Sequence, residues 1–581
     1  MEGAPFLLNR KHNDKVNFIN HNYKKMKKYI VSLLLFVCCA GLQAQSLPYL
    51  KKQGNATQLI VNNKPFLMLS GELHNSACST IDNMKPIWAN MKAKNLNTVI
   101  STVSWELLEP VEGQYDFTLV DAQIEGARKE NLKLVIIWFA SWKNGASTYM
   151  PSWVKRNYTR FPRAVDHTGN RIEILSTFGE ETMKADAKAF RALMKHIKEV
   201  DRDQTVLMMQ LENEVGILNT VRDFHPLANK AFNSPIPKEL GDYLQKNRNN
   251  MSPELHKVWS ENGSKTTGTW EEVFGKSYAN HKDWKDMSFY TEELFMAYHY
   301  ARYIGYVASE GKKEHNIPMF VNAWLKGPDY PWSGRFPGGG PLWHVMDMWH
   351  CAGPAVDFLS PDIYIPFFQY IVEQYDRLGN AMFIPETGGG AVGASRFLWA
   401  LGEHGLMGFS PFGIDRSPAT PNDPLSETYK SVAGMMDLIT AHQGKPTMRG
   451  ILVDTQNPSQ TFELGDFIIT ASMNAPRAQA AATPAQQSAT QQTASGGLII
   501  QLGPEEFIVL ARGLNVRFDP KTTGKTPYIA LDKVEEGVYT DGKWTVTRVL
   551  NGDEIHTGIH TFVGLRMSGM STQKVKLYRY N

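Results

Sequence analysis

The chain has 581 residues, of which 42% are hydrophobic and 20% are charged, and its formal net charge at pH 7 is +3. These values are ordinary for a soluble globular protein and exclude wholesale disorder. The length favours two or three domains rather than one.

The first 44 residues have the pattern of a secretory signal peptide. Four lysines between positions 24 and 28 precede the apolar run 30–40, which is too short to span a bilayer comfortably. We expect translation to start at Met26 and the protein to be exported to the periplasm or the cell surface. A lipid anchor at Cys38 or Cys39 is the less favoured alternative, because such a signal needs small residues before its cysteine.

Charge and cysteine content of the mature chain restrict its partners. Residues 1–44 hold seven Lys or Arg and two Asp or Glu, so their removal changes the formal charge from +3 to −2. A near-neutral protein has no electrostatic basis for binding nucleic acid or an anionic membrane. The two remaining cysteines, Cys78 and Cys351, could form a disulfide or stay as buried thiols, and their spacing does not suit a metal.

Short apolar runs alternate with helical patterns over residues 45–443. The apolar runs are continuous, as in parallel strands that are covered on both faces. Eight strand–helix units predict a (β/α)₈ barrel, with a doubly wound open sheet as the alternative. The predicted strands are 66–70, 97–101, 133–138, 205–211, 318–322, 356–360, 381–385 and 405–409, and helical patterns include 81–94, 119–130, 182–200 and 286–310.

The pattern changes after residue 443. Apolar segments such as 462–470, 497–501 and 506–510 are separated by turn residues, and no helical pattern is present. We therefore predict an antiparallel β domain over residues 444–581. Within it, residues 474–496 are rich in Ala, Gln, Thr and Ser, which predicts a disordered loop.

Two of the predicted barrel strands lead into a glutamate. Glu214 follows strand four in the sequence QLENEVG, and Glu386 follows strand seven in FIPETG. The ends of the strands form the active site in a (β/α)₈ barrel. Glycosidic cleavage requires two facing carboxylates, one as the acid and the other as the nucleophile or base. A single strand-end glutamate more often caps a loop, but two on these strands favour catalysis.

These sequences resemble the motifs of the family 35 β-galactosidases, which belong to a larger clan of (β/α)₈ retaining glycosidases. The resemblance covers roughly residues 58–420. The similar segments are the acid/base motif at 210–216, the first-strand motif at 70–75, the second-strand motif at 105–110 with 113–117, and the third-loop motif at 150–153.

The resemblance implies a retaining exo-glycosidase that releases terminal β-linked galactose from plant-type oligosaccharides or polysaccharides. It implies that Glu214 is the acid/base, that Glu386 is the nucleophile and that Asn213 binds the 2-hydroxyl of the substrate. Two positions depart from the family: Thr102 replaces a tyrosine, and Asn144 replaces a sugar-binding glutamate. These departures leave β-glucosides, β-xylosides and arabinosides open as substrates. A non-catalytic carbohydrate-binding protein is a further alternative, although the retention of both glutamates argues against it.

Other substrate contacts are expected from side chains near the strand ends. Across the clan, a tyrosine at the position of Tyr364 hydrogen-bonds the nucleophile. His74 is expected either to contact the substrate or to make a structural hydrogen bond. Aromatic rings can stack on the apolar faces of sugars, and the candidates are Trp105, Trp142 and Trp324.

The glycine-rich segment 388–393 matches a dinucleotide-binding fingerprint in form. Nucleotide cofactors are scarce outside the cytoplasm, and Glu386 directly precedes these glycines, so we expect a flexible loop instead. We predict no cofactor and no metal ion. The expected partner is a carbohydrate substrate.

Overall fold

The computed structural model describes residues 46–280, 282–473, 494–521, 528–555, 559–564 and 569–580. The predicted signal peptide, its start at Met26 and the alternative lipid anchor lie outside the described residues, as do residues 474–493 of the predicted loop. No helix in the described part of the chain is long and apolar enough to cross a membrane. Cys78 is buried and Cys351 is half-buried, and both are free thiols.

Thirteen strands are found among the described residues between 49 and 411, eight of them parallel strands of one sheet and five outside it. They are β1 (Tyr49–Gln53), β2 (Ala56–Val61), β3 (Lys64–Phe66), β4 (Met68–Glu72), β5 (Thr98–Ser104), β6 (Lys133–Lys143), β7 (Arg163–Val165), β8 (Arg171–Leu175), β9 (Val206–Asn213), β10 (Met319–Trp324), β11 (Phe358–Ile363), β12 (Ile384–Thr387) and β13 (Gly408–Pro411).

Eight of these strands close into a barrel, which confirms the predicted fold. Their order around the barrel is β4, β5, β6, β9, β10, β11, β12 and β13, with β13 pairing in parallel with β4. Each of the eight overlaps a predicted apolar run. Barrel closure excludes the open doubly wound sheet that we considered as the alternative. The remaining early strands form a three-stranded antiparallel sheet, β1 to β3, and the pair β7 and β8.

Helices accompany the barrel strands along the chain. Long inserted helices between β9 and β10 lengthen that connection considerably. The helices are Ile81–Met84, Ile87–Ala93, Trp105–Leu108, Thr118–Lys129, Ser152–Lys155, Glu180–Val200, Pro226–Phe232, Lys238–Lys246, Pro253–Glu261, Trp270–Phe274, Tyr290–Glu314, Met346–Ala352, Phe368–Tyr375, Gly390–His404, Pro424–Gly434 and Met436–His442.

Some barrel strands extend beyond the apolar runs that predicted them. β6 continues past Trp138 to Lys143, and β9 continues past Leu211 to Asn213. The extension of β9 is polar, whereas that of β6 contains the buried Phe139 and Trp142. The two extensions are linked by the hydrogen bond from Lys143 to Asn213.

The C-terminal part of the chain forms two antiparallel sheets, as predicted. A six-stranded sheet has the order β14, β17, β18, β23, β20, β21, and a four-stranded sheet has the order β15, β16, β19, β22. The strands are β14 (Met448–Asp454), β15 (Ser459–Leu464), β16 (Phe467–Met473), β17 (Ala494–Gly503), β18 (Glu506–Arg512), β19 (Leu514–Pro520), β20 (Tyr528–Thr540), β21 (Lys543–Leu550), β22 (His560–Val563) and β23 (Ser571–Tyr580).

The predicted C-terminal boundary of the disordered loop, residue 496, was wrong. Ala494, Ser495 and Gly496 belong to β17 and pair with the antiparallel strand β14. Composition misled the prediction here, because small residues in this strand resemble loop residues. They are small because Gly496 lies directly against Ser395 of the helix Gly390–His404.

The six-stranded antiparallel sheet packs directly against a helix of the barrel. The helix Gly390–His404, which follows the seventh barrel strand, contacts both β14 and β17. Arg449 of β14 forms an ion pair of 2.8 Å with Glu403 of that helix. Residues 48–581 form one compact unit, and the domain boundary after residue 443 stays a prediction.

The contact at Gly496 generates a stability prediction. A Cβ atom at this position would lie 2.4 Å from the Cα of Ser395, so G496A must displace the helix or the strand. We expect the variant to lose about 1–3 kcal/mol of unfolding free energy through overpacking. In the control G503A, on the same strand, the added Cβ would lie 3.8 Å from its nearest neighbour, Glu506. Chemical denaturation of both variants tests this, and equal stabilities would contradict the packing.

Candidate active site

The chain turns sharply at the end of the fourth barrel strand. Glu212 and Glu214 have φ angles of 57° and 48°, in the left-handed region that residues other than glycine seldom adopt. The backbone N–H of Glu214 donates to the side-chain oxygen of Asn322 at 3.0 Å. Its carbonyl accepts from the N–H of Gly145 at 3.1 Å. These two neighbouring strand ends therefore hold the backbone of Glu214 in its strained conformation.

Glu386 lies in the seventh barrel strand and is buried, with 7% of its surface exposed. The hydroxyl of Tyr364, which follows the sixth strand, donates to Glu386 Oε1 at 2.6 Å. The other oxygen, Oε2, has no hydrogen-bond partner among the described residues. One oxygen is thus fixed by Tyr364, while the other is left without a donor. The predicted placement of Tyr364 beside Glu386 agrees with this geometry.

Three carboxyl groups meet in the mouth of the barrel. One oxygen each from Glu214, Asp362 and Glu386 lie within 4.8 Å of one another. Carboxyl groups about 5–5.5 Å apart are typical of retaining glycosidases, whereas inverting enzymes need about 6.5–9.5 Å. The 4.8 Å limit joins single oxygens rather than whole carboxyl groups, so the retaining mechanism stays a prediction. The cluster is also compact enough to admit a cation, and the absence of a metal requirement stays a prediction.

Burial changes the acidity of Glu214. Loss of solvent, reinforced by the negative charge of Glu386, raises the pKa of Glu214 to about 7. Lys143 and a hydrogen bond with Asp362 act in the opposite direction and lower it. Glu214 therefore retains a proton at neutral or slightly acidic pH and has the acidity that a proton donor needs.

The side chain of Asn213 is oriented by a lysine. Lys143, at the end of the third barrel strand, donates to Asn213 Oδ1 at 2.7 Å. The Nδ2 of Asn213 has no acceptor within the described part of the chain. Asn213 is completely buried, and its Nδ2 is a buried nitrogen that lacks a partner there. The contact to a sugar hydroxyl stays a prediction for Asn213, and the sequence analysis missed Lys143.

Glu72 is another buried acid that the sequence analysis missed. It ends the first barrel strand, is fully buried, and neither carboxyl oxygen has a described partner. Burial and the charge of Glu386 raise the pKa of Glu72 well above its ordinary value. The signal was present in the sequence, because Glu72 comes soon after the apolar run 66–70, as Glu214 comes soon after the run 205–211.

Two predicted tryptophan contacts are contradicted by burial. Trp105 is completely buried and donates to Glu109 Oε2 at 2.7 Å. Trp142 is also completely buried and donates to the carbonyl of Leu175 at 3.1 Å. Both rings fill the protein interior and satisfy their N–H groups there, so neither presents a face to a sugar. Trp324 is half-buried at the end of β10 and stays a candidate.

The remaining predicted residues lie in loops at the mouth. His74 is half-buried; its backbone N–H donates to Asp415 at 2.9 Å, and its ring contacts Arg416. These contacts correspond to the structural alternative considered for His74. Asn144 occupies an exposed turn with a φ of 52°. Its N–H donates to the carbonyl of Asn213 at 3.1 Å, which ties the two strand ends together.

Thr102 marks a departure from the family pattern and borders an open space. Its hydroxyl donates to the carbonyl of Asn75 at 2.9 Å. Thr102, Asn75, Gln123 and Tyr149 are among the residues that line a cavity of about 90 Å³. A small side chain at position 102 therefore leaves this cavity unfilled.

Comparison with known proteins identifies two regions. A model for glycoside hydrolase family 42, described as "Beta-galactosidase", matches residues 79–293. A model described as a domain of unknown function matches residues 425–562. The first match lies within the barrel and covers Glu214. It supports the predicted glycoside hydrolase. The family 35 assignment is not confirmed, because the matched model belongs to family 42.

Two curated relatives are β-galactosidases. One from Xanthomonas manihotis is 26% identical over 194 residues, which are 32% of this chain and 30% of that protein. Beta-galactosidase 14 of Arabidopsis thaliana is 24% identical over 201 residues, which are 33% of this chain and 21% of that protein. The chain thus spans less than a third of the length of either relative.

Solved structures with distant likeness include two β-galactosidases. That of Bacillus circulans sp. alkalophilus has a TM-score of 0.41 and 16% identity, covering 64% of this chain and 57% of that one. That of the psychrophilic Marinomonas ef1 has a TM-score of 0.42 and 13% identity, covering 65% and 60%. At these scores, no conclusion about this chain rests on them.

The electrostatic coupling between the two glutamates can be tested without substrate. E386Q removes the negative charge that raises the pKa of Glu214, so this pKa should fall below about 7. Infrared titration of the carboxyl bands, with E214Q spectra identifying Glu214, measures the change. The control E373Q alters an exposed glutamate and should leave the titration unchanged. An unchanged titration in E386Q would contradict the coupling.

Proposed function

We propose that this protein is a retaining exo-glycosidase that releases terminal β-linked galactose from plant-type oligosaccharides or polysaccharides. The observation that carries the proposal is the close approach of the Glu214 and Glu386 carboxyl groups, whose nearest oxygens lie within 4.8 Å. Retaining glycosidases hold their two carboxyl groups about 5–5.5 Å apart so that one can attack the sugar directly, and this close approach of the two oxygens supports that mechanism. The matched family model and the curated relatives support the same reaction class.

In the first step, Glu386 acts as the nucleophile. Its carboxylate attacks the anomeric carbon while the bond from that carbon to the leaving oxygen breaks. Glu214 transfers its proton to the leaving oxygen, so the aglycone departs as an alcohol. The products of this step are a glycosyl ester on Glu386 and an ionised Glu214. Tyr364 donates to one oxygen of Glu386 and keeps the carboxylate oriented for attack.

In the second step, Glu214 acts as the base. Formation of the ester removes the negative charge of Glu386, which is one of the two causes that raise the pKa of Glu214. The ionised Glu214 takes a proton from water, the water oxygen attacks the anomeric carbon, and the ester bond to Glu386 breaks. Two inversions at the same carbon give net retention of configuration.

The preference for galactose rests on the relatives, because the 2-hydroxyl proposed to bind Asn213 is common to galactosides, glucosides and xylosides. Both curated relatives and the matched model carry the description β-galactosidase. Asn213 has an amide nitrogen without a partner in the described residues, suited to a sugar hydroxyl. A retaining enzyme for β-glucosides, β-xylosides or arabinosides is the second candidate, because Thr102 leaves a cavity where the resemblance implies a tyrosine.

Export fits this activity. The basic and apolar segments within residues 1–44 have the signal-peptide pattern, and plant-type polysaccharides are too large to enter a cell intact. We therefore place the enzyme in the periplasm or at the cell surface. Peptide sequencing of the secreted mature N-terminus would test this placement, and an N-terminus upstream of residue 30 would contradict it.

A panel of nitrophenyl glycosides tests the substrate. We expect kcat/KM for the β-galactoside to exceed that for the β-glucoside, β-xyloside and α-arabinoside by about tenfold or more. Product analysis on xyloglucan and pectic side chains then identifies the natural linkage. The variant E386A provides the control for contaminating activity. A preference for another sugar would favour the second candidate, and no hydrolysis of any substrate would refute the glycosidase proposal.

Azide rescue tests the division of labour between the glutamates. E386A should abolish turnover, and added azide should form a glycosyl azide of inverted configuration. E214A should spare the first step for aryl glycosides with good leaving groups, because they need no proton, and azide should then give the retained product. E373A, on an exposed helix position, is the matched control. If E386A gave the azide of retained configuration and E214A the inverted one, the roles of the two glutamates would be the reverse of those proposed.

A further inference from the structure

Asp362 is a third acid between the two glutamates. It lies in the sixth barrel strand and is 3% exposed. One of its oxygens is within 4.8 Å of both Glu214 and Glu386. The sequence analysis singled out this strand for Tyr364 only, so neither the predicted mechanism nor the resemblance gave Asp362 a role.

The two oxygens of Asp362 have different surroundings. Oδ2 accepts a hydrogen bond from the side-chain amide of Asn322 at 2.7 Å. The same asparagine accepts the backbone N–H of Glu214 through its oxygen. Oδ1 has no hydrogen-bond partner among the described residues, and one oxygen of Asp362 lies within 4.8 Å of an oxygen of Glu214. Two carboxyl oxygens can form a hydrogen bond only when one of the two groups carries a proton.

The surrounding charges decide which group holds that proton. Burial and the charges of Glu386 and Glu214 raise the pKa of Asp362 well above its ordinary value. The hydrogen bond with Asp362 lowers the pKa of Glu214, as expected when Asp362 is the donor. The titratable groups that face the pair are Glu72 on β4, Lys143 on β6, Tyr364 after β11 and Glu386 on β12.

We infer that Asp362 is a positioning residue that keeps its proton throughout the reaction and donates a hydrogen bond to Glu214. This inference rests on the proposed glycosidase function and extends it. The side-chain amide of Asn322 donates to Asp362 Oδ2 and accepts the backbone N–H of Glu214. The two acids therefore keep a fixed relative geometry.

The hydrogen bond acts when Glu214 is ionised. In the first step Glu214 gives its proton to the leaving oxygen, and the resulting carboxylate gains a charge-assisted hydrogen bond from Asp362. In the second step Glu214 recovers a proton from water and becomes neutral again. Asp362 neither gains nor loses a proton, so the balance of the reaction is unchanged. Its effect is to stabilise the ionised Glu214 inside a buried site.

Two substitutions distinguish a protonated Asp362 from an ionised one. D362N keeps a neutral donor. The basic limb of the pH profile of kcat/KM, which reports the pKa of Glu214, should therefore stay near its wild-type position. D362A removes the donor, so the limb should move to higher pH, because the ionised form of Glu214 is less stabilised. If Asp362 were ionised, both variants would remove a negative charge and move the limb to lower pH. That downward shift would overturn the inference.

An infrared measurement tests the proton directly and needs no activity. At about pH 8, above the pKa of about 7 for Glu214, wild-type protein should show a protonated carboxyl band that D362N lacks. Should D362N fail to fold, D362A supplies the same comparison. D242N, an exposed Asp in an ion pair with Lys238, is the matched control. If D362N kept the band, the inference would be overturned. An inactive wild type that shows the band would refute only the proposed function.

Discussion

Burial of several carboxyl groups in one barrel mouth is the constraint on which the rest of the site depends. Within the described residues, the acids Glu72, Glu214, Asp362 and Glu386 lie together beside the cation Lys143. Four negative charges cannot coexist in a space from which water is excluded, since each buried charge needs a partner. The group therefore holds protons at neutral pH. The barrel brings these acids together because the carboxyl ends of its strands all meet at the same mouth.

The energetic consequence is clearest for Glu214. A pKa raised from 4.5 to about 7 corresponds to about 3 kcal/mol in favour of the neutral acid. Because the folded-state pKa is raised, this contribution is complete at low pH and is lost as the pH rises through about 7. Stability and proton donation thus decline over the same range. The strained backbone at Glu212 and Glu214 adds a further cost, which the contacts from Asn322 and Gly145 help the fold to tolerate.

The sequence was sufficient for the barrel and for its strand-end glutamates. Continuous apolar runs locate buried parallel strands, and Glu214 and Glu386 stand out because nothing in an apolar core calls for a carboxylate at those positions. Asp362 and Asn322 escaped notice because each lies within a strand and its importance arises from a partner on another strand. Lys143 was missed for the same reason: its link to Asn213 joins residues 70 positions apart.

Two of the three aromatic predictions failed for a different reason. Tryptophans near strand ends are equally suited to stacking on a sugar or to filling the layer between strands and helices. The sequence does not distinguish these environments, because the outcome depends on which way the side chain points. Trp105 and Trp142 satisfy their N–H groups with Glu109 and with the carbonyl of Leu175. Internal hydrogen-bond partners of this kind become visible only in three dimensions.

The six-stranded C-terminal sheet packs against the helix that follows the nucleophile. Glu386 is followed within a few residues by the helix Gly390–His404, and this helix packs on β14 and β17. Gly496 and Gly450 permit that contact, because a side chain at either position would collide with the helix backbone. The ion pair between Arg449 and Glu403 fixes the far end of the same helix. The six-stranded sheet therefore supports the position of the seventh strand end, although it contributes no carboxyl group to the cluster described in the barrel mouth.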